Sequence, residues 1–262
     1  MSQRKILYFK DIKGDAECSK IFQEVKKEKA NIEINFGREC SDGELLVLKE
    51  FLTNSGKACI TALNLSGVGI GDFASGKLLV SFLRSNHSVE ELNLSNNNIS
   101  YNGLSTILNA LEKNFLGENS KKKSILPLKS LDISNNFVED IGRSLFISQL
   151  NQFIKSSHTL SVLKLAGLYL GTKDTFDTVF DEKDLFNTVK IYNQKSSPAQ
   201  SVSRIENLDL SNNNLTNQYL DILLSCNDIE MHLQGNNIEL AKDFAPENGV
   251  AVYLDGSFYY SF

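Results

Sequence analysis

The sequence predicts an α/β fold in which about seven copies of one short unit stack into a solenoid, with a parallel sheet on one side and helices on the other. A pattern of alternating apolar residues that ends in an asparagine recurs along the chain. Stretches with apolar residues at helical spacing separate its copies. Since one unit cannot bury its own apolar side, the copies are expected to pack against each other.

The clearest copy of the unit spans residues 89–99 and has the form L-x-x-L-x-L-x-x-N-x-I, with Val89 in its first slot. Leu92 in slot four and Leu94 in slot six alternate on a short strand, so both point to the same side. Asn97 in slot nine lies where the chain leaves the strand. Its side-chain amide can therefore bond main-chain groups of neighbouring coils.

The other copies follow the same phase. The residues in slot four are Ile34, Leu63, Leu92, Leu131, Leu163, Leu208 and Met231, at steps of 29, 29, 39, 32, 45 and 23 residues. The asparagines in slot nine are Asn97, Asn136, Asn213 and Asn236, which are predicted to be structural turn residues. Val68 and Leu168 replace this asparagine in two copies. Five or more copies in phase make the repeat pattern specific.

These repeats resemble the ribonuclease-inhibitor-like class of leucine-rich repeat proteins over roughly residues 31–240. The resemblance implies a horseshoe with a concave parallel sheet and convex helices, and a role in binding other proteins. The chain departs from the type member because it lacks strict alternation of two repeat types and has few cysteines. Its irregular repeats, its Lys/Asn/Ser/Ile-rich composition and its lack of tryptophan are similar to the leucine-rich repeat effectors that intracellular bacterial pathogens deliver into host cells.

We predict one structural domain with a cap at each end. Residues 1–30 are expected to form an N-terminal cap with a strand at 5–9 and a helix at 15–29, because the first coil would otherwise expose its apolar side. Residues 241–262 are expected to form a C-terminal β cap. Asp255-Gly256 predicts its hairpin turn. Its aromatic side chains are expected to pack inward, and the alternative is a partner-binding aromatic patch. They are Tyr253, Phe258, Tyr259, Tyr260 and Phe262.

Two insertions interrupt the repeats, near residues 114–124 and 171–204. The first is polar and basic, which predicts an exposed loop. The second contains Leu185, Phe186 and Val189 at helical spacing, which predicts a longer helix. Insertions in a solenoid map to the edges of the coils, where they either add binding surface or are tolerated as loops.

Composition excludes several function classes. A net charge of −5 and a pI near 5.4 argue against nucleic-acid binding. No apolar run approaches the roughly 20 residues that cross a bilayer, which argues against membrane insertion. Charged residues near the start leave no apolar signal-peptide region. We therefore expect a monomer that is cytoplasmic, or is secreted into a host cell by a route without a classical signal peptide.

Catalytic motifs are absent, and we expect no enzyme activity, cofactor or metal. His87 and His158 occupy equivalent positions in two coils, which indicates a structural role. Cys226-Asn-Asp228 matches the C-x-D pattern of bacterial ubiquitin ligases that also carry leucine-rich repeats, but it lies inside a repeat. The alternative to a binding module is an enzyme-type role, either ligase-like through Cys226 or activation of a small GTPase. An arginine finger for such activation would have to come from Arg38, Arg84, Arg143 or Arg204, none of which lies in an outward slot.

Slots two, three and five are expected to point out of the sheet into the concave face. The predicted partner-binding residues are Glu33, Asn64, Glu90, Glu91, Asn93, Lys129, Asp132, Lys164, Glu206, Asp209, Glu230 and His232. Seven of them are acidic and two are lysines, whereas the whole chain has 32 acidic and 27 basic residues. A concave acidic surface attracts partners of opposite charge, which predicts a basic protein partner. The alternative is that solubility alone makes these slots acidic.

Overall fold

The computed structural model describes residues 5–8, 15–25, 32–36, 39–54, 59–72, 79–116, 127–136, 142–171, 182–195, 203–240, 246 and 249–260. In these residues, ten strands form one sheet whose spatial order is their order in the chain. The strands are β1 Lys5–Tyr8, β2 Ile32–Asn35, β3 Ile60–Asn64, β4 Glu91–Asn93, β5 Ser130–Asp132, β6 Val162–Lys164, β7 Asn207–Asp209, β8 Glu230–His232, β9 Ala251–Leu254 and β10 Ser257–Tyr260.

Strands β1 to β9 are parallel, and equivalent slots of the repeat lie beside each other. Leu63 pairs with Leu92, and Leu92 pairs with Leu131. The same register continues to Met231 in β8. All seven slot-four side chains are at most 1% exposed. The apolar alternation in the sequence therefore sets both the strand register and the buried side of the sheet.

Helices connect successive strands. They are α1 Asp15–Val25, α2 Asp42–Asn54, α3 Val80–Ser85, α4 Tyr101–Leu116, α5 Arg143–Ser156, α6 Glu182–Lys195 and α7 Leu220–Leu224, with a 3₁₀ turn at Asn217–Tyr219. Their apolar faces join the buried side of the sheet in one core. Each parallel crossover needs such a connection because parallel strands cannot be joined by a tight turn. The α/β class with a mostly parallel sheet is confirmed.

The structure tests the predictions for the N-terminal cap and for the two insertions. Strand β1 and helix α1 lie where the N-terminal cap was predicted, although residues 26–29 of the expected helix lie outside the described residues. Residues 114–116 belong to α4, so the prediction that the first insertion begins as a loop there is wrong. Helix α6 buries Leu185, Phe186 and Val189 in the second insertion. The remainder of both insertions lies largely outside the described residues.

The slot-nine asparagines join neighbouring strands through buried side-chain amides. Asn97 Nδ2 donates to the carbonyls of Leu65 and Leu94 at 2.8 and 2.9 Å. Its Oδ1 accepts from the backbone N–H groups of Gly69 and Ile70 at 2.9 and 3.0 Å. One buried amide thus satisfies main-chain groups that the short strands leave unpaired. Equivalent bonds are made by Asn136, Asn213 and Asn236.

The slot-nine asparagine of one coil also accepts hydrogen bonds from the backbone of the preceding coil. Asn213 Oδ1 accepts from the backbone N–H groups of Leu168 and Leu170 at 3.0 and 3.2 Å. Leu168 itself occupies slot nine of its own copy, where the asparagine is missing. The loop around Leu168 is therefore held by the next coil, as the loop around Val68 is held by Asn97.

The C-terminal hairpin turns at Asp255-Gly256, as the sequence predicted, with β10 antiparallel to β9. Gly256 has a φ of +81°, a conformation that glycine adopts without steric cost. Tyr259 pairs with buried Val252 and packs against the core. Phe258 points the other way and is 55% exposed, so the prediction that it packs inward is wrong. Alternation along the strand separates the two rings.

Among the described residues, no helix is both long and apolar enough to span a membrane.

Candidate functional site

The side of the sheet opposite the core presents two rows of side chains, from slots three and five. Because slot four is buried in every coil, alternation places its two neighbours on the opposite side. We name these two rows in β2 to β8 the sheet face. Its residues are Glu33, Asn35, Ala62, Asn64, Glu91, Asn93, Ser130, Asp132, Val162, Lys164, Asn207, Asp209, Glu230 and His232.

The charges on the sheet face are unequal. Five of its residues are carboxylates and one is a lysine. Slot two adds Glu90, Lys129 and Glu206 beside these rows. Lys129 Nζ lies 2.9 Å from Glu90 Oε2, so these two charges compensate each other, whereas Glu206 is exposed. This contact pairs one acidic and one basic residue of the predicted set, and the sheet face itself carries five acidic residues and one lysine.

Strand β3 departs from the predicted pattern of outward slots. Thr61 in slot two is 6% exposed and Ala62 in slot three is 4% exposed. The Thr61 hydroxyl donates to the Ile32 carbonyl at 3.4 Å, so this side chain serves the neighbouring strand. The prediction that slots two and three point outward in every strand is therefore wrong for Thr61 and Ala62. A register shift between Ile32 and Glu33 accompanies this difference.

A depression of about 160 Å³ lies on the sheet face over β2 to β6. Glu33, Glu91 and Asp132 are its acidic lining residues, and Lys164 lines it from β6. Ala62 contributes only a methyl group between Glu33 and Glu91. Its lining also includes Leu63, Asn64, Leu92, Asn93 and Ser130.

The slot-five asparagines and aspartates are oriented by the chain that follows them. Asn64 Oδ1 accepts from Ser66 N–H at 3.0 Å, and Asn93 Oδ1 accepts from Ser95 N–H at 2.9 Å. Asp132 and Asp209 make the same bond to the serine two residues later, each at 3.0 Å. This is the turn in which Asn and Asp side chains bond the backbone two residues on. This bond turns one side-chain oxygen toward the backbone. The asparagines therefore present Nδ2 on the sheet face, and the aspartates present their second oxygen.

The C-terminal end of the sheet face continues into an aromatic stack. His232 Nε2 lies 2.9 Å from Glu230 Oε1, and its ring stacks on Tyr253 with centroids 4.6 Å apart and planes 2° apart. The Tyr253 ring lies 4.5 Å from that of Phe258. Sequence reasoning assigned Tyr253 and Phe258 to a cap. Their alternation with buried Val252 and with Tyr259 is the signal that places them in the outward row.

The residues considered for catalysis lie apart from the sheet face. Cys226 is 1% exposed, and burial raises the pKa of its thiol to about 11. A thiol with this pKa is almost entirely protonated near neutral pH and is a poor nucleophile. Asp228, the other member of the C-x-D pattern, forms an ion pair with Arg204 at 2.7 Å.

The other residues singled out for chemistry have separate environments. Arg143 is buried, and its guanidinium donates to the Leu170 carbonyl. Arg84, His87 and His158 are exposed away from the two rows, and Arg38 lies outside the described residues. Within the described part of the chain, no three His, Cys, Asp or Glu side chains converge in a way that could hold a metal ion.

Comparison with known proteins adds no relative. No protein-family model matches the chain, and no curated protein sequence matches it.

Proposed function

We propose that the chain is a leucine-rich repeat horseshoe that acts as a non-enzymatic binding module for a basic protein. The single observation behind this proposal is that the slot-three and slot-five rows of seven consecutive strands carry five acidic residues and one lysine. Such a surface gives a continuous field of one sign. It steers a positively charged partner and repels nucleic acid.

The repeat period, the in-register slot-four residues and the buried slot-nine asparagines support the horseshoe part of the proposal. A curved parallel sheet with helices on its outer side leaves the inner face as the large solvated surface. The depression over β2 to β6 is consistent with a concave face. In repeat solenoids, extended concave surfaces of this kind serve as binding sites.

The resemblance in composition to bacterial effectors extends this proposal to the partner's origin. It implies that the partner is a host-cell protein. This part rests on that compositional resemblance alone.

The experiment compares two triple charge reversals of equal size in affinity capture from lysate. The test variant changes Glu91, Glu206 and Glu230 to lysine, and the control variant changes the exposed residues Asp184, Asp221 and Glu239 to lysine. Both alter the formal net charge equally, but only the first alters the outward side of the strands. We expect basic proteins to be retained by the wild type and the control and lost by the test variant. Equal retention by both variants would contradict the proposal.

The enzyme-type alternative is tested by Cys226→Ala in the same preparations. Because the thiol is buried and its pKa is raised, we expect the substitution to leave partner capture unchanged. Loss of a catalytic activity of the purified protein in this variant would instead support the ligase-like alternative.

A further inference from the structure

Two glutamates border the depression on either side of a small residue. Glu33 pairs with Ala62 in the register of β2 and β3, and Ala62 pairs with Glu91 in that of β3 and β4. Neighbouring strands lie about 4.8 Å apart, so the two glutamate Cα atoms are separated by roughly 10 Å. Ala62 contributes only a methyl group to this interval, and Glu33, Ala62 and Glu91 all line the same depression.

The other side of the depression carries hydrogen-bond donors. The Oδ1 atoms of Asn64 and Asn93 are occupied by the N–H groups of Ser66 and Ser95. No described residue accepts a hydrogen bond from the Nδ2 of either asparagine. The depression therefore combines carboxylate acceptors in slot three with amide donors in slot five. A bound group must offer positive charge to one row and carbonyl oxygens to the other.

Size and chemistry together select the bound group. The volume of about 160 Å³ is below the roughly 300–1,000 Å³ of small-molecule pockets, so it suits one side chain of a larger partner. A guanidinium is planar and has five donors, so it can bond two carboxylates that face it from different strands. A lysine ammonium is a compact charge without this planar geometry.

We propose that this depression, the Ala62 socket, receives an arginine side chain of the protein partner. Glu33 and Glu91 bond the guanidinium, while Asn64 and Asn93 donate to main-chain carbonyls on either side of the arginine. The inference rests on the proposed function and adds the side-chain chemistry of the partner. It also places the main contact over β2 to β4 rather than evenly along the sheet face.

The test uses three fluorescein-labelled peptides that have the same glycine and serine spacers and carry three arginines, three lysines or three citrullines. Their affinities for the full chain are measured by fluorescence anisotropy at low salt. We expect the arginine peptide to bind about fivefold more tightly than the lysine peptide, because bidentate charged hydrogen bonds are stronger than single ones. The citrulline peptide, which has the same shape without the charge, should not bind.

Two apolar substitutions provide a matched pair that leaves every charge unchanged. Ala62→Leu fills the socket, whereas Val162→Leu enlarges a slot-three residue that does not line it. We expect Ala62→Leu to weaken the arginine peptide about tenfold or more and to abolish its advantage over lysine, since the guanidinium loses its position between the carboxylates. Val162→Leu should stay within about twofold of the wild type. Circular dichroism checks that both variants fold.

A measurement on the unsubstituted chain covers the case in which Ala62→Leu fails to fold. The arginine peptide should shift the side-chain amide NMR signals of Asn64 and Asn93, and the lysine peptide should shift them less. Equal wild-type affinities for the two charged peptides would overturn the socket. An unchanged arginine preference in folded Ala62→Leu would overturn it too, and so would unshifted amide signals.

A distant charge reversal separates failure of the socket from failure of the proposed function. Glu230→Lys alters the sheet face four strands away from Glu91. If it weakens both charged peptides while folded Ala62→Leu weakens neither, the sheet face binds cations and the socket is wrong. If neither substitution affects either peptide, both the socket and the acidic binding face are wrong.

Discussion

Replacement of the buried asparagine Asn97 by alanine tests whether side-chain amides hold the coils together. Asn97 is 4% exposed, and its Oδ1 is bonded by the N–H groups of Gly69 and Ile70. Alanine leaves the buried Ile70 N–H without this acceptor, whereas the exposed Gly69 N–H can bond water. An unsatisfied buried donor costs about 1–3 kcal/mol and each lost hydrogen bond about 1 kcal/mol, so the free energy of unfolding should fall by about 4 kcal/mol. The lost bonds from Nδ2 to Leu65 and Leu94 act in the same direction.

The measurement is thermal unfolding followed by circular dichroism, with the neighbouring Asn98→Ala as the control. Asn98 is exposed, and its backbone N–H, which the substitution keeps, donates to the Ile70 carbonyl. For a chain of this size, 1 kcal/mol corresponds to about 2–4 °C in Tm, so we expect Asn97→Ala to lower Tm by about 10 °C. Asn98→Ala should change Tm by less than about 2 °C. A similar Tm for the two variants would refute the assigned role of the slot-nine amide.

Two further predictions concern a glycine and a thiol. Gly167 and Gly67 both have positive φ. A Cβ added at Gly167 would lie 2.2 Å from Asn135 Oδ1, whereas a Cβ added at Gly67 would have nothing within 4 Å. Gly67→Ala should therefore cost about 1 kcal/mol in urea titrations. Gly167→Ala should cost about 1 kcal/mol more, because the Asn135 side chain must rotate away and lose its hydrogen bond to Asn96. Equal losses would contradict the steric explanation. Cys226 should react with a thiol reagent at pH 7 far more slowly than half-buried Cys59, because Cys226 is buried with a pKa of about 11. Mass spectrometry of digests resolves the two sites, and rapid labelling of Cys226 in the folded protein would show that it is accessible.

The depression illustrates where reasoning from the sequence ends. Slot positions predicted that Glu33, Glu91 and Asn93 face outward, because strand alternation is a local property. They also predicted that slot three of β3 faces outward, yet Ala62 in that slot is 4% exposed and lies between two glutamates of the neighbouring strands. Its burial depends on how far the neighbouring side chains of β2 and β4 extend over it. The residues that pair with it, Glu33 and Glu91, lie about 29 residues before and after it in the chain.

The charges beside the sheet face also separate what the sequence predicts from what packing decides. Glu90 and Lys129 were both expected beside the outward rows, but their separation of 39 residues includes an insertion. Only the register of neighbouring strands brings the two side chains to 2.9 Å. The acidic excess over the sheet face follows from composition and slot position, whereas the particular pair that is neutralised follows from packing.

The sequence by itself determined the α/β class, the strand register and the side of each strand that is buried. Those features repeat with a short period, and each coil buries slots four and six because burial of apolar side chains is favoured in every copy. Only the tertiary structure decided that Ala62 opens a depression, that Glu90 is paired, and that Phe258 joins His232 through Tyr253 in one aromatic stack. These features depend on contacts between strands that are distant in the chain. A pattern within one repeat contains no information about its neighbour's side chains.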